Sequence, residues 1–290
     1  KELGVIILFH CESGDRITEN IKKLQDANKI EMKYYPISRP AEVELDSVKT
    51  LIKISEEVGH PVYIVHLSSK LALDAVRKAR EKGVKIFVET CPHYLLLNEE
   101  RYSLKGEDEF EGAKYIMSPP LRNKEDNEEL WRGIKNGDIN TISTDHCSYN
   151  YEDKKALGKG DFSNTPNGIP SVEHRFQLLY TKGVSKELIS LNKLVELTST
   201  NPAKIFGLYP IKGEIAVGSH ADLVILGEDK NNIIKAENSF QKVDYTPYEG
   251  FENKANIKMV YLRGNKIFDR GVLIEKNPDG RYFMREKLTC

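Results

Sequence analysis

Pro61-Val62-Tyr63-Ile64-Val65-His66 is an unbroken apolar run that ends in a histidine, the pattern of a strand covered on both faces. Behind it Ala72, Ala75, Val76 and Ala79 share one helical face that Gly83 stops, and Val84-Lys85-Ile86-Phe87-Val88-Glu89 forms the next strand. Strand, helix and strand in that order make a parallel unit. The pattern extends both ways. Upstream, Val5 to Phe9 is a buried strand run ending in His10. Ile17, Ile21 and Leu24 fall at helical spacing, and Asp46 is placed to cap a helix carrying Val48, Leu51, Ile52 and Val58, with Gly59 as its stop. Downstream, Leu130, Trp131 and Ile134 mark a helix ended by Gly137, and Ile139 to Thr144 is a fourth strand, followed by Asp145. Val172, Phe176, Leu179 and Tyr180 give a fifth helix, Ser190 caps a sixth, and Asn201-Pro202 starts a short one ending at Gly207. Two architectures fit: an open doubly wound sheet and a (β/α)8 barrel. No Gly-x-Gly-x-x-Gly follows any strand and no Walker-type loop is present, so the nucleotide-binding sheet loses support.

After Gly207 the pattern changes. Ala221 to Leu226 reads as a strand, and Met259 to Leu262 and Lys266 to Phe268 flank Gly264-Asn265, a two-residue hairpin turn. The expected division is therefore 1–207, a parallel βα region, and 208–290, a small β-rich domain. Lys+Arg total 43 and Asp+Glu 44, a balance of −1 that argues against a nucleic-acid binder. The longest apolar run, Gly4 to Phe9, is too short for a bilayer, and no charged region precedes a long apolar stretch as in a signal peptide. Cys11, Cys91, Cys147 and Cys290 are few and irregularly spaced, which fits thiols of a reducing compartment. The expectation is a soluble, cytoplasmic globular protein. A chain that opens almost inside a buried strand is expected to be part of something longer.

The strand ends carry the chemistry. In a (β/α)8 barrel the C-terminal ends of the strands form the active-site face. His10, His66 and Asp145 each stand at such an end, and two imidazoles and a carboxylate are ligand types for zinc or a similar divalent ion. Taken singly, a strand-end histidine is ordinarily a hydrogen-bonded core or loop residue and an aspartate ordinarily a cap or turn former. The coincidence of the three favours a site. His60, His174 and His220 read as solvated or structural, and His93 as packing. Cys91 and Cys147 fit no standard zinc spacing, and Lys124 to Glu129 reads as a solvated helix start. Two proline-fixed loops, Met117 to Arg122 and Asn164 to Pro170, are suited to present backbone groups to a ligand.

In order along the chain stand His10-Cys11-Glu12-Ser13-Gly14-Asp15, Val65-His66-Leu67-Ser68-Ser69, Glu89-Thr90-Cys91-Pro92-His93-Tyr94, Ser118-Pro119-Pro120-Leu121-Arg122, Ser143-Thr144-Asp145-His146-Cys147 and Pro166-Asn167-Gly168. Asn201 to Pro210, Gly218 to Val224 and Asp244 to Gly250 continue the series. This succession resembles the D-hydantoinases and dihydropyrimidinases, cyclic amidohydrolases of the amidohydrolase superfamily, over nearly the whole chain.

The resemblance implies a (β/α)8 barrel, here only its later strand–helix units, with a small β-sandwich portion and a two-metal site, usually zinc. His10 and His66 match the histidines of one metal. Asp145 matches the aspartate that binds the other and shuttles a proton. Ser118 and Asn167 match positions whose backbone groups hold the cyclic amide. The implied reaction opens a dihydropyrimidine or hydantoin ring to an N-carbamoyl amino acid, in a cytoplasmic homotetramer. The family's His-x-His pair, its bridging carboxylated lysine and a substrate-binding tyrosine have no counterpart here, so the 290 residues alone are expected to be inactive. Two alternatives remain. One is a non-catalytic scaffold relative, against which His10, His66 and Asp145 argue. The other is an allantoinase or dihydroorotase, to which the Asn167-Gly168 loop and the Asp244 to Gly250 segment look less similar.

Overall fold

A computed structural model describes residues 1–104, 106, 110–274 and 280–287, and the backbone alone at 229–231. Cys290 lies outside the described residues. The chain divides into two compact units, one of Ile7–Arg175 with Ile234–Gly250, the other of Lys1–Ile6, Phe176–Ile233 and Phe251–Cys290.

The first unit holds four parallel strands, β1 (Leu8–Phe9), β2 (Val62–Ile64), β3 (Ile86–Thr90) and β4 (Thr141–Ile142). Their spatial order is their chain order, β1-β2-β3-β4. A doubly wound sheet reverses direction at a switch point; successive strands each added to the same side are the habit of a (β/α)8 barrel. Helices Ala41–Val58, Lys70–Glu81 and Lys124–Asn136 form the connections. In Lys70–Glu81, Ala72, Leu73, Val76 and Ala79 are buried, one stripe at helical spacing. Ser69 caps it by accepting from the Ala72 N–H at 3.3 Å, and Asp126 Oδ1 accepts from the Lys70 N–H at 2.8 Å. Gly59 and Gly137 end their helices in the left-handed region, as the sequence predicts.

Four local expectations are corrected. Val5 to Phe9 is not covered on both faces. Among the described residues β1 pairs only with β2, and Ile7 and Leu8 are about half exposed. Asp46 caps nothing: the helix begins at Ala41, after Pro40, and Asp46 lies in its second turn, paired with Arg16. The acidic run at Lys124 is not simply solvated, because Asp126 and Glu129 are buried and engaged, Glu129 by Arg77 at 2.6 Å. Asn201 is not a cap. Thr200 is already helical, and a wider π-type turn over Glu196–Thr200 precedes Pro202, whose ring and missing N–H do not fit a regular helix interior.

The second unit holds an antiparallel sheet in the order β5-β6-β7-β8: β5 (Leu223–Ile233), β6 (Glu252–Leu262), β7 (Asn265–Asp269) and β8 (Val272–Leu273). Leu262 pairs with Asn265, so the β6–β7 turn is Arg263-Gly264, one residue earlier than the sequence suggests. Both turn residues have positive φ, the type I′ geometry that matches the twist of a hairpin.

Candidate active site

The strand ends are aligned by a ladder that runs past the strands themselves. Val65 N–H donates to Phe9 O at 3.2 Å, Leu67 N–H to Glu89 O at 2.8 Å and Ser143 N–H to Thr90 O at 3.0 Å. At two of these ends the backbone turns sharply: φ is +40° at His66 and +45° at Asp145. L-residues other than glycine visit this region at a cost of about 1–2 kcal/mol, histidine and aspartate more readily than most. Held conformations of this kind concentrate where the chain must aim a side chain.

The aim is visible at His66. Its Nε2 lies 3.0 Å from His10 Nδ1, with the rings 4.8 Å apart and nearly edge-on. Either one nitrogen donates to the other, or both turn lone pairs toward one cation. His66 is buried and its Nδ1 has no hydrogen-bond partner. Burial pushes its pKa down, and the Asp145 carboxylate opposes that shift. The structure thus brings His10 and His66 into contact and places Asp145 near enough to act on His66 by its charge. Among the described residues no cluster of three or more His, Cys, Asp or Glu side chains is set to hold a metal ion. The donors present fit one edge of such a centre: two imidazole nitrogens converging from neighbouring strands.

Ser118 and Asn167 also meet. Ser118 Oγ donates to Asn167 Oδ1 at 3.3 Å. Both are organised by a residue the sequence did not mark. The hydroxyl of buried Tyr35 donates to Met117 O at 2.8 Å and contacts Asn167 Oδ1. Burial pushes this phenol up to about 12, so it stays protonated. Beneath the loops, Lys154 Nζ donates to Ile116 O at 2.8 Å and Ala113 O at 3.2 Å, and the Gly168 N–H donates to the same Ile116 O at 3.0 Å. Gly168 has φ +125°, and a Cβ there would lie 2.4 Å from Cys147 Cβ, so the position admits only glycine.

Around the histidines lies a second layer of charge, in which Glu44 and Arg39 stand outside the sequence motifs and Glu12, Ser68 and Arg122 within them. Buried Glu44 accepts from the Ser68 N–H at 2.8 Å and the Ser68 hydroxyl at 2.9 Å, and Arg122 lies 3.6 Å from it. Burial raises the Glu44 pKa, a shift that Arg122, Ser69 and Ser68 oppose. This explains Ser68-Ser69: both serines receive Glu44, and Ser69 also caps a helix. Glu12 pairs with Arg39 at 2.8 Å and with His10 at 3.2 Å. His93 is packed against Tyr94 and its pKa is pushed down to about 3 by burial, in keeping with a packing role. Cys91 is buried, with its thiol pKa raised by burial. His174 is buried with Ser239 Oγ at 3.3 Å, and His60 is buried as well, so both are structural rather than solvated. No described helix is long and apolar enough to cross a membrane.

The fold is thus a singly wound parallel sheet with two imidazoles meeting at its strand ends. Residues 1–267 match the amidohydrolase family, and the chain belongs to it. Among its relatives, a D-hydantoinase of Geobacillus stearothermophilus is 39% identical over 287 residues, covering 99% of this chain and 60% of that protein. A D-hydantoinase structure from Bacillus sp. AR9 superposes with TM-score 0.96 at 38% identity, covering 100% of this chain and 63% of that one. A dihydropyrimidinase structure from Brevibacillus agri does so with TM-score 0.96 at 38% identity, covering 100% and 62%. The chain therefore spans about three-fifths of the length of the relatives it matches.

Proposed function

We propose that these residues form the later part of a metal-dependent cyclic amidohydrolase that opens hydantoin or 5,6-dihydropyrimidine rings to N-carbamoyl amino acids. The observation that carries the reading is the convergence of His10 Nδ1 and His66 Nε2 from neighbouring strand ends, in a chain similar to D-hydantoinases and a dihydropyrimidinase. His10 and His66 would hold one divalent ion and Asp145 another, zinc being the metal proposed. Bound metal supplies Lewis acidity and a water acidic enough to attack an amide at neutral pH. The bridging carboxylated lysine and the remaining donors are assigned to the two-fifths of the relatives' length that this chain does not span. Asp145 accepts the proton of the attacking water and returns it to the leaving ring nitrogen. Ser118 and Asn167 offer backbone groups to the two edges of the cyclic amide, on loops that Tyr35 holds together. Residues 1–207 are proposed as barrel and 208–290 as part of the small β domain. A homotetramer in the cytoplasm is the proposed setting.

Metal content and ring opening in the full-length protein test the reading. About two metal ions per chain are expected, with turnover of hydantoin or dihydrouracil that Asp145→Asn lowers by roughly 10²–10⁴-fold. A protein supplied with excess divalent metal that retains no ion and opens no ring would refute it.

A further inference from the structure

His10 is the more exposed of the two converging histidines, its side chain 45% accessible. An imidazole so placed can flip or swing, and a ligand that must be ordered on binding loses affinity by the cost of ordering it. Something must hold it. Residues two apart in an extended segment point to the same side, and the chain from His10 to Ser13 is neither helix nor turn. Glu12 accordingly reaches back to His10, its Oε2 3.2 Å from His10 Nε2.

The Glu12 side chain is itself only 1% exposed, and the same Oε2 accepts from Arg39 Nη1 at 2.8 Å. Its other oxygen, Oε1, is buried without a partner, so the carboxylate acts through the oxygen shared by Arg39 and His10. Burying an ionised carboxylate is expensive, and a pair with one arginine ordinarily does no better than apolar packing. Its position gives it a use. Nε2–H donating to Glu12 leaves a lone pair on Nδ1, the atom that faces His66 Nε2 at 3.0 Å.

We infer that Glu12, anchored by Arg39, is a positioning residue that fixes the ring and tautomer of His10 so that Nδ1 is presented to a divalent cation beside His66. This rests on the metal-site reading above and adds to it a residue with no assigned role. The acceptor carries the effect, so Glu12→Gln, of the same shape, weakens it, and Glu12→Ala removes it. Arg39→Lys keeps a charge but loosens the anchor and should fall between wild type and Glu12→Ala.

The experiment measures Co²⁺ affinity by competition with a chelator, alongside the thermal midpoint of each metal-free protein. The His10 tautomer is read from ring ¹⁵N resonances of the metal-free chain. Expected are a wild type with His10 protonated on Nε2, and Co²⁺ binding about 10–100-fold weaker in Glu12→Gln and Glu12→Ala, with a smaller fall in thermal midpoint for Glu12→Gln than for Glu12→Ala, which leaves Arg39 without its carboxylate. Equal Co²⁺ affinity in wild type and both variants would overturn the inference. A wild type that binds no Co²⁺ would remove the metal-site reading instead. The tautomer then decides alone: redistribution in Glu12→Gln upholds the positioning role, and an unchanged ring overturns it.

Discussion

The parallel and antiparallel sheets are built on opposite economies. The parallel strands have two to five residues, and Tyr63, Ile64 and Val88 in them are fully buried. What holds β2 and β3 is side-chain burial by flanking helices, together with buried charge tied down by hydrogen bonds, as at Glu44 with Ser68 and Arg122. β5 and β6 run eleven residues each, while Val224 and Ile225 are 52% and 41% exposed. Here the backbone ladder does most of the work. The difference teaches that identical substitutions should have unequal effects in the two sheets.

Breaking the buried charge is expected to have the largest effect. Arg122→Met leaves Glu44 buried with its serine partners and no counter-charge, for a loss of roughly 3–5 kcal/mol in denaturant unfolding. A loss below about 1 kcal/mol would erase the distinction between the sheets. Next comes a matched pair. Leu73→Ala empties a fully buried place in the Lys70–Glu81 helix, where even a Cβ on Gly133 would come within 2.7 Å of Leu73 Cδ2. It should cost about 2–5 kcal/mol, whereas Val224→Ala should stay within about 0.5–1 kcal/mol. Equal losses would break the comparison.

A third measurement sharpens it through pH. Lys154 is buried under the loops, and burial pushes its pKa from the usual 10.5 down to about 7, a shift that Cys147 opposes. The folded chain then releases this proton more readily than the unfolded one, so the unfolded state binds more protons between those values. The penalty is present in full below about pH 7 and shrinks as pH rises toward 10.5. Wild-type stability relative to Lys154→Met should therefore climb across that window; parallel curves would contradict it. Smallest of all, Arg263→Gly at the β6–β7 turn, where φ is +47°, should shift stability by no more than about 1 kcal/mol, in the stabilising direction.

The parts legible in the sequence were those governed by short-range rules. β2, β3 and the helices after them follow from apolar periodicity, and Gly59, Gly137 and Ser190 act as the stops and cap their types suggest. His10 and His66 could be singled out because each closes an apolar run. Tyr35 could not. It sits in an aperiodic stretch, and its partners lie 82 and 132 residues away. Glu44 could not either, since nothing local shows that Ser68 will close over it. Asp126 and Glu129 were misread for the same reason. A carboxylate's surroundings come from other elements, and charge alone does not say whether it will be solvated or paired.

The Lys70–Glu81 helix has two kinds of cap, and they differ in time. Ser69 is its immediate neighbour and serves as soon as the first turn exists. Asp126 comes 56 residues later. At synthesis rates of about 5–20 residues per second, the Lys70 N–H waits roughly 3–11 seconds for that carboxylate to be made. A nascent chain can therefore start this helix on its own but cannot finish its N-terminus until the start of Lys124–Asn136 has emerged. The two helices reach their final state as a pair, and a ribosome paused between residues 81 and 126 would hold the first of them half-tied.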